Sequence, residues 1–321
     1  MNIVLLIIVY GYALVAGLVI WYIFRDRKNP KLFFGRYKFF SGIFIAILAV
    51  GILTVIYSTL TEPFILKTTS VALQNSKINN LKIALISDIQ VGNHKKTAWV
   101  EKIVARIESA NPDLVIFGGD LIDNEATFED ESQYLEPLRK LIGKFSMYYV
   151  LGNHEYGIGG TVRNKPEKYT GDRSQLLIDR MKTLGIPLLR NTLDCPEIKG
   201  QKICLFGIDD IWKYKPNFSD LKNWDNETPL IYITHNPDGI LYYPTNLPAP
   251  DLILAGHTHG GQIWIPFFGP LGDAQIILGK SFYRGLNYFH NIPIYTSVGA
   301  GESGAPLRLF ARPEIVLLNI D

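Results

Sequence analysis

Five short blocks along the chain each bring side chains that bind metal: Ser87-Asp88-Ile89-Gln90, Gly118-Gly119-Asp120, Gly152-Asn153-His154-Glu155, Thr234-His235-Asn236 and Gly256-His257-Thr258-His259. Carboxylate, amide and imidazole groups are the oxygen and nitrogen donors that hard and borderline divalent cations take. Almost every block follows an apolar, β-like stretch: Leu81–Ile86, Leu114–Phe117, Tyr148–Leu151, Leu230–Ile233 and Leu252–Leu254. Groups at the C-terminal ends of strands are where an α/β sheet builds its site. One block alone could be a turn, but five in succession point to metal. In the last block the i, i+2 spacing of His257 and His259 in extended chain aims both imidazoles the same way, and the glycines around them clear space for a substrate.

The blocks resemble the signature of the calcineurin-like metallophosphoesterases, D-x-H, G-D, G-N-H-[DE], H, G-H-x-H, and most of all its membrane-associated bacterial branch. The likeness runs from about Lys82 to the C-terminus and includes Gly260-Gly261-Gln262 and the closing Leu307–Leu318 stretch. It departs at one position, where Gln90 stands for the family's first histidine. The resemblance implies a four-layer α/β/β/α sandwich of two mixed sheets and two divalent metal ions (Mn, Zn or Fe). Residue by residue, it implies Asp120 as the carboxylate shared by both ions, with Asp88, Gln90 and His259 completing the first site. Asn153, His235 and His257 complete the second. His154 matches the non-ligand histidine that protonates the leaving oxygen. Two ions about 3.5–4 Å apart can activate a bridging water and neutralise both oxygens of an in-line phosphoryl displacement.

Gln90 has three readings: ligation through its amide oxygen, an outer role, or a site that loads only with substrate. His94 could substitute for the missing imidazole, or be a solvent-facing loop residue. Asp209-Asp210 could orient a ligand histidine or cap a turn. Gln262 could touch a substrate phosphate or be structural, Asn236-Pro237-Asp238 shapes a turn, and His290 reads as a surface residue. No Gly-x-Ser-x-Gly or P-loop pattern is present, so serine-hydrolase and NTPase readings lack support.

The elements that position these blocks follow from periodicity. Trp99, Val100, Ile103, Val104 and Ile107 recur at helical spacing before Asn111-Pro112. Leu135, Leu138 and Ile142 suggest a second helix and Leu176–Leu184 a third. Gly157–Arg173 is glycine-rich and aperiodic, a substrate loop or an ordinary surface loop. Beyond Gly185 short strands are expected at Leu188–Leu193, Lys202–Phe206, Pro293–Ser297, Leu307–Phe310 and Glu314–Asn319. Early βα units followed by a strand-rich half fit packed sheets flanked by helices.

Ahead of this domain, Ile3–Phe24 and Phe39–Tyr57 are apolar for about the 20 residues a bilayer crossing needs. Buried core helices, or a signal peptide for the first, are the alternatives. The missing basic residue before the first run, and the missing cleavage site, favour uncleaved anchors. The expected division is therefore a membrane anchor of two transmembrane helices over 1–58, a linker over 59–80 leading into an edge strand, and the catalytic domain over 81–321. The connector between the helices carries Arg25, Arg27, Lys28, Lys31, Arg36 and Lys38 against Asp26, which keeps it cytoplasmic and puts the domain outside. The chain's formal charge is +2, and the connector accounts for more than that, so the domain is net acidic and has no nucleic-acid footprint.

The expected partners are the lipid bilayer and a phosphate-bearing small-molecule or lipid substrate. The expected function is a membrane-anchored dinuclear phosphoesterase of phosphate ester or pyrophosphate bonds, its localisation the bacterial cell membrane with an extracytoplasmic domain. UDP-2,3-diacylglucosamine pyrophosphatase of lipid A biosynthesis is the specific alternative, and a non-catalytic metal-binding scaffold is the alternative of another class. Cys195 and Cys204 are the only cysteines, so no thiolate site is available. A two-residue turn at Lys199-Gly200 would pair Ile198 with Gln201 and set the cysteines opposite, either bridged or as two small apolar residues.

Overall fold

The computed structural model describes residues 3–124, 130–159, 171–272 and 274–321. Two apolar helices, α1 (Ile3–Asp26) and α3 (Lys38–Ile56), lie against each other, joined through the single turn α2 (Phe33–Arg36). Both are long and apolar enough to cross a membrane and bury almost nothing within the protein. Side chains such as Leu18, Phe40 and Ile47 stand exposed on them, as expected of surface made for lipid rather than for a core.

The stretch 59–80, expected as a linker, is instead built into the domain. A tight π-turn over Tyr57–Thr61 and a 3-10 turn over Glu62–Phe64 continue α3. Strand β1 (Lys67–Leu73) then pairs in parallel with the closing strand β15 (Glu314–Ile320) over seven residues. Polar and β-branched residues read as a connector because an edge strand needs only one apolar face.

Strand β15 also pairs antiparallel with β2 (Leu81–Ile86), and β3 (Leu114–Phe117) and β4 (Ser146–Tyr149) follow in parallel. The first sheet therefore runs β1-β15-β2-β3-β4. The second contains β5 (Thr192–Asp194), β8 (Cys204–Gly207), β9 (Leu230–Ile233), β10 (Leu252–Ala255), β13 (Gly285–Phe289) and β14 (Ile292–Thr296), in the order β13-β14-β10-β9-β8-β5. Both sheets are mixed.

The continuous apolar runs of the central strands are explained by burial on both faces. Ile83, Leu85, Leu114 and Ile116 point into the layer between the sheets and meet Ile231, Ile233, Leu252 and Leu254. Ala84, Ile86, Val115 and Phe117 face the other way, onto α4 (Thr97–Ala110) and α5 (Ser174–Thr183). Helix α4 buries the stripe from Trp99 to Ile107 and stops at Asn111, left-handed at φ 46° ahead of Pro112.

Three expectations change. Glu131–Leu141 is a 3-10 helix around Pro137, which cannot donate to an α-helical ladder. Leu307–Phe310 forms no strand, only a single bridge from Leu309 to Ile263. The outer layer over the second sheet is made of short 3-10 turns at Ser219–Asn223 and Pro237–Tyr242, which close over Phe206, Tyr232 and Ile253. The expected hairpin is present: β6 (Glu197–Ile198) and β7 (Gln201–Lys202) pair Ile198 with Gln201 about Lys199-Gly200, and Cys195 and Cys204 are joined as a disulfide.

Candidate metal centre

Strands β2, β3, β4, β9 and β10 all end at the same rim, because they run parallel within their sheets and the two sheets face each other. The donor blocks follow directly. Asp88, Asp120 and His235 bring ligand atoms within 4.8 Å of one another, all buried. His235 Nε2 lies 3.2 Å from Asp120 Oδ2 and 3.2 Å from Asn153 Oδ1, and His257 Nδ1 is 2.9 Å from the same Asn153 oxygen. On the other side His259 Nε2 is 3.4 Å from Asp88 Oδ1. Gln90 Nε2 donates to Asp120 Oδ2 at 3.1 Å, while its Oε1 is buried without a hydrogen-bond partner. All seven side chains expected as ligands thus meet at one place, with Asp120 between the two groups.

The donors are held from behind. His235 Nδ1 donates to Gly118 O at 2.8 Å, and His259 Nδ1 lies 3.3 Å from Gly301 O, which turns each Nε2 inward. His257 is turned the other way, its Nε2 3.3 Å from Ala274 O and its ring edge-on to Trp212 at 4.5 Å. The backbone is left-handed at Asp88, Gln90, Asp120, His257 and His259, with φ between 50° and 71°. Each such non-glycine residue costs of order 1 kcal/mol or more, and strain of this kind collects where function needs a fixed geometry. Gly152 has no room for a side chain, since a Cβ there would collide with Asp120 Oδ1.

The electrostatics suit a cation. Burial pulls the His235 proton affinity down, but Asp120, Asp88 and Asp210 outweigh it and hold the imidazole well above its ordinary range. Burial pushes Asp88 up to about 6, with the Asp120 charge adding to it. His257, buried and beside His235, is lowered to about 3, and burial with Arg308 holds His259 well below its ordinary range. Neutral imidazole is the form that ligates; His257 and His259 already favour it, and a cation would take the place of the proton that the carboxylates hold on His235. The unpartnered Gln90 oxygen, the carboxylates and these imidazoles fit a divalent metal.

His154 stands beside this group. Its Nδ1 donates to Asp123 O at 2.7 Å, and Nε2 lies 3.8 Å from Asp120 Oδ2 and 3.2 Å from Ser303 Oγ. Burial disfavours its charge, but Asp120 and Asp123 reverse the effect and raise its pKa. An imidazolium is a proton donor.

The lesser candidates resolve. His94 is exposed in a turn, and His290 is exposed at the β13–β14 corner. Gln262 is structural, tied at both ends of its amide to Ser303 N and Ala305 O. Asn236 accepts from Asp238 N at 2.9 Å, shaping its turn. Asp210 caps a turn by accepting from Trp212 N, and burial raises it to about 7; Asp209 accepts from Tyr156 and Arg190. Residues 160–170 of the expected substrate loop lie outside the described residues.

Two supporting residues were not singled out from sequence. Glu155 takes four backbone N–H bonds, from Asp120, Leu121, Ile122 and Gly152, and so ties the β3 and β4 ends together. Its place in the Asn153-His154-Glu155 block was the available signal. Arg308, fully buried, donates to the carbonyls of Val298, Gly301 and Ala311 and pairs with Glu302 at 3.3 Å; nothing in its sequence context marks it.

The family model described as calcineurin-like phosphoesterase matches residues 81–261. The chain is 31% identical over 300 residues to the uncharacterized metallophosphoesterase YkuE of Bacillus subtilis, covering 89% of this chain and 97% of that protein. It is 29% identical to the phosphodiesterase YaeI of Escherichia coli, covering 74% of this chain and 82% of the other. A transmembrane protein with metallophosphoesterase domain from Danio rerio is 28% identical over 74% of this chain, which spans 52% of that protein's length.

Proposed function

The chain belongs to the calcineurin-like phosphoesterase family, and from that premise we propose a membrane-anchored enzyme that uses two metal ions to hydrolyse a lipid-linked phosphate ester or pyrophosphate. Membership makes it a metal-dependent hydrolase of phosphoric esters. The observation that carries the finer reading is the meeting of Asp88, Gln90, Asp120, Asn153, His235, His257 and His259 at one rim, with Asp120 central.

In this reading Asp88, Gln90, Asp120 and His259 hold one ion, and Asp120, Asn153, His235 and His257 the other. When bound, the ions supply an activated water and charge neutralisation. His154 holds a proton at Nε2 for the leaving oxygen, and its Nδ1 bond to Asp123 O keeps the ring aimed. Asp120 serves both functions, since its charge also favours the imidazolium.

Lipid-linked substrate is favoured by the helices, which run without a free connector into the domain. Lys95 Nζ donates to Pro63 O at 2.6 Å, Ala311 N donates to Glu62 Oε1 at 2.7 Å, and Arg308 N donates to Ser58 O at 2.8 Å. The extracytoplasmic placement is supported by the basic connector and by the Cys195–Cys204 bond, which an oxidising compartment maintains. The lipid A pyrophosphatase alternative acts on a cytoplasmic nucleotide-sugar and conflicts with both.

The test is turnover by the purified full-length chain, stripped of metal and reloaded with Mn²⁺, Zn²⁺ or Fe²⁺, on a panel of phospholipids, nucleotide-sugars and a chromogenic phosphodiester. Metal-dependent release of phosphate or phosphomonoester from the lipids is expected. Turnover confined to nucleotide-sugars would replace the substrate assignment, and no turnover under any metal would favour the scaffold.

A further inference from the structure

Immediately past His259 and Gln262 the chain forms a small separate hairpin, β11 (Trp264–Ile265) against β12 (Gly269–Pro270), that belongs to neither main sheet. The run from Ile263 to Leu271 holds no charged residue. Its tip is Pro266-Phe267-Phe268, closed by Phe268 N donating to Ile265 O at 3.1 Å. Phe267 is fully exposed, Phe268 is 80% exposed and Leu271 65%. Two adjacent phenylalanines at a tip, with a leucine beside them, form an apolar surface that water disfavours and that marks an interaction site.

The position of the hairpin identifies the partner. Trp264 N donates to Leu309 O, and Leu309 N donates to Gln262 O, so the hairpin is fastened to the Leu309–Phe310 segment. Leu309 and Phe310 in turn share a cavity of about 690 Å³ with Val50, Leu53 and Thr54 of the second apolar helix and with Tyr57 directly after it. Val50 lies about 10 Å below Tyr57 along that helix, so this edge of the domain stands beside a stretch built to lie in lipid. Phe310 is itself 56% exposed. Arginine and aromatic groups gather at the same level: Arg284 stacks 3.7 Å over Trp264 and donates to Phe310 O, and Arg312 donates to the Tyr57 hydroxyl at 3.1 Å. Mixed aromatic and basic belts mark the interfacial layer of a membrane.

We propose that the β11–β12 hairpin is a third membrane contact, its Phe267 and Phe268 seated in the interfacial layer of the bilayer that α1 and α3 cross. The hairpin leaves the metal centre at His259 and the chain returns to it where Ala274 O meets His257. The seated tip therefore holds the rim of the centre at the lipid surface. The inference rests on the membrane reading of the two helices and not on the identity of the substrate.

The test places a polarity-sensitive fluorophore on single cysteines in the full-length chain reconstituted in phospholipid vesicles. The native cysteines are bonded to each other and do not compete. Three positions are compared: Phe268→Cys, Ile47→Cys on α3, and Tyr288→Cys, an exposed residue on β13. The expected result is blue-shifted emission at positions 47 and 268, quenched by nitroxide-bearing lipids, with position 288 quenched only by aqueous iodide. Lipid quenching at 47 but aqueous quenching at 268 would overturn the hairpin contact alone. Aqueous quenching at both would overturn the membrane reading and the hairpin contact with it. Shielding of 268 from both quenchers, together with crosslinking between chains, would replace the bilayer by a second copy.

Discussion

Asp120 and His154 lie 3.8 Å apart, yet their loss should be felt in different measurements. Asp120→Asn removes the charge proposed to be shared by both ions, so metal content by elemental analysis should fall together with activity. His154→Ala removes the side chain proposed as proton donor, while the backbone N–H of that residue still bonds Asp120 Oδ1 at 2.9 Å; metal content should hold while turnover drops about 10²–10⁴-fold, the usual contribution of a general acid. Loss of metal in the alanine variant would reassign His154 as a ligand. Gln90 is the position where the chain departs from its family. An imidazole nitrogen is a better donor than an amide oxygen for Zn²⁺, Fe²⁺ or Mn²⁺, so Gln90→His should tighten metal binding measured by competition with a chelating dye. Unchanged affinity would remove Gln90 from the centre, although its oxygen is buried there without a partner. The side chains that meet at this rim were readable from short blocks, because metal chemistry restricts residue type severely. Arg308 and Glu302 were not, because a buried ion pair has no local pattern.

At the level of elements, legibility followed burial. β2, β3 and β9 have the bounds their apolar runs suggested, since strands buried on both faces admit little else. The 3-10 helix at Glu131–Leu141 shows apolar spacing that an α-helix would share, and the sheet-edge strands β1 and β13 carry weak signals because half their side chains face water. The hairpin β6–β7 was legible from its turn. Lys199 at φ 51° and Gly200 at φ 76° give the left-handed pair that a two-residue turn of this twist requires. The bond it sets up between Cys195 and Cys204 closes a loop with a sequence separation of 9. Loop-closure entropy for so short a loop gives roughly 2–3 kcal/mol. Replacing both cysteines by serine should lower unfolding stability by about that amount, measured by denaturant titration in detergent with oxidised wild type as reference. An equal midpoint for the two would mean that strained geometry cancels the entropic gain.

The whole molecule differs most from a tethered domain where β1 enters the first sheet. A fragment beginning at Leu81 would discard β1 and leave β15 as an open edge, the arrangement most prone to strand pairing between copies. It would also strip Glu314, buried to 1% exposure, of Lys67 at 3.1 Å and the Thr69 hydroxyl at 2.5 Å. Taking partners from a buried carboxylate is destabilising, and Leu73 and Ile78 would leave the core as well. A fragment beginning at Tyr57 keeps these groups, together with the Glu62 bond to Ala311 N and the Lys95 bond to Pro63 O. The two fragments should therefore separate clearly by size-exclusion chromatography and thermal unfolding, the longer one monodisperse and cooperative, the shorter aggregated or melting at a much lower temperature. Equal melting temperatures would mean that β1 docks on an already complete domain, and that the boundary belongs at Leu81 after all.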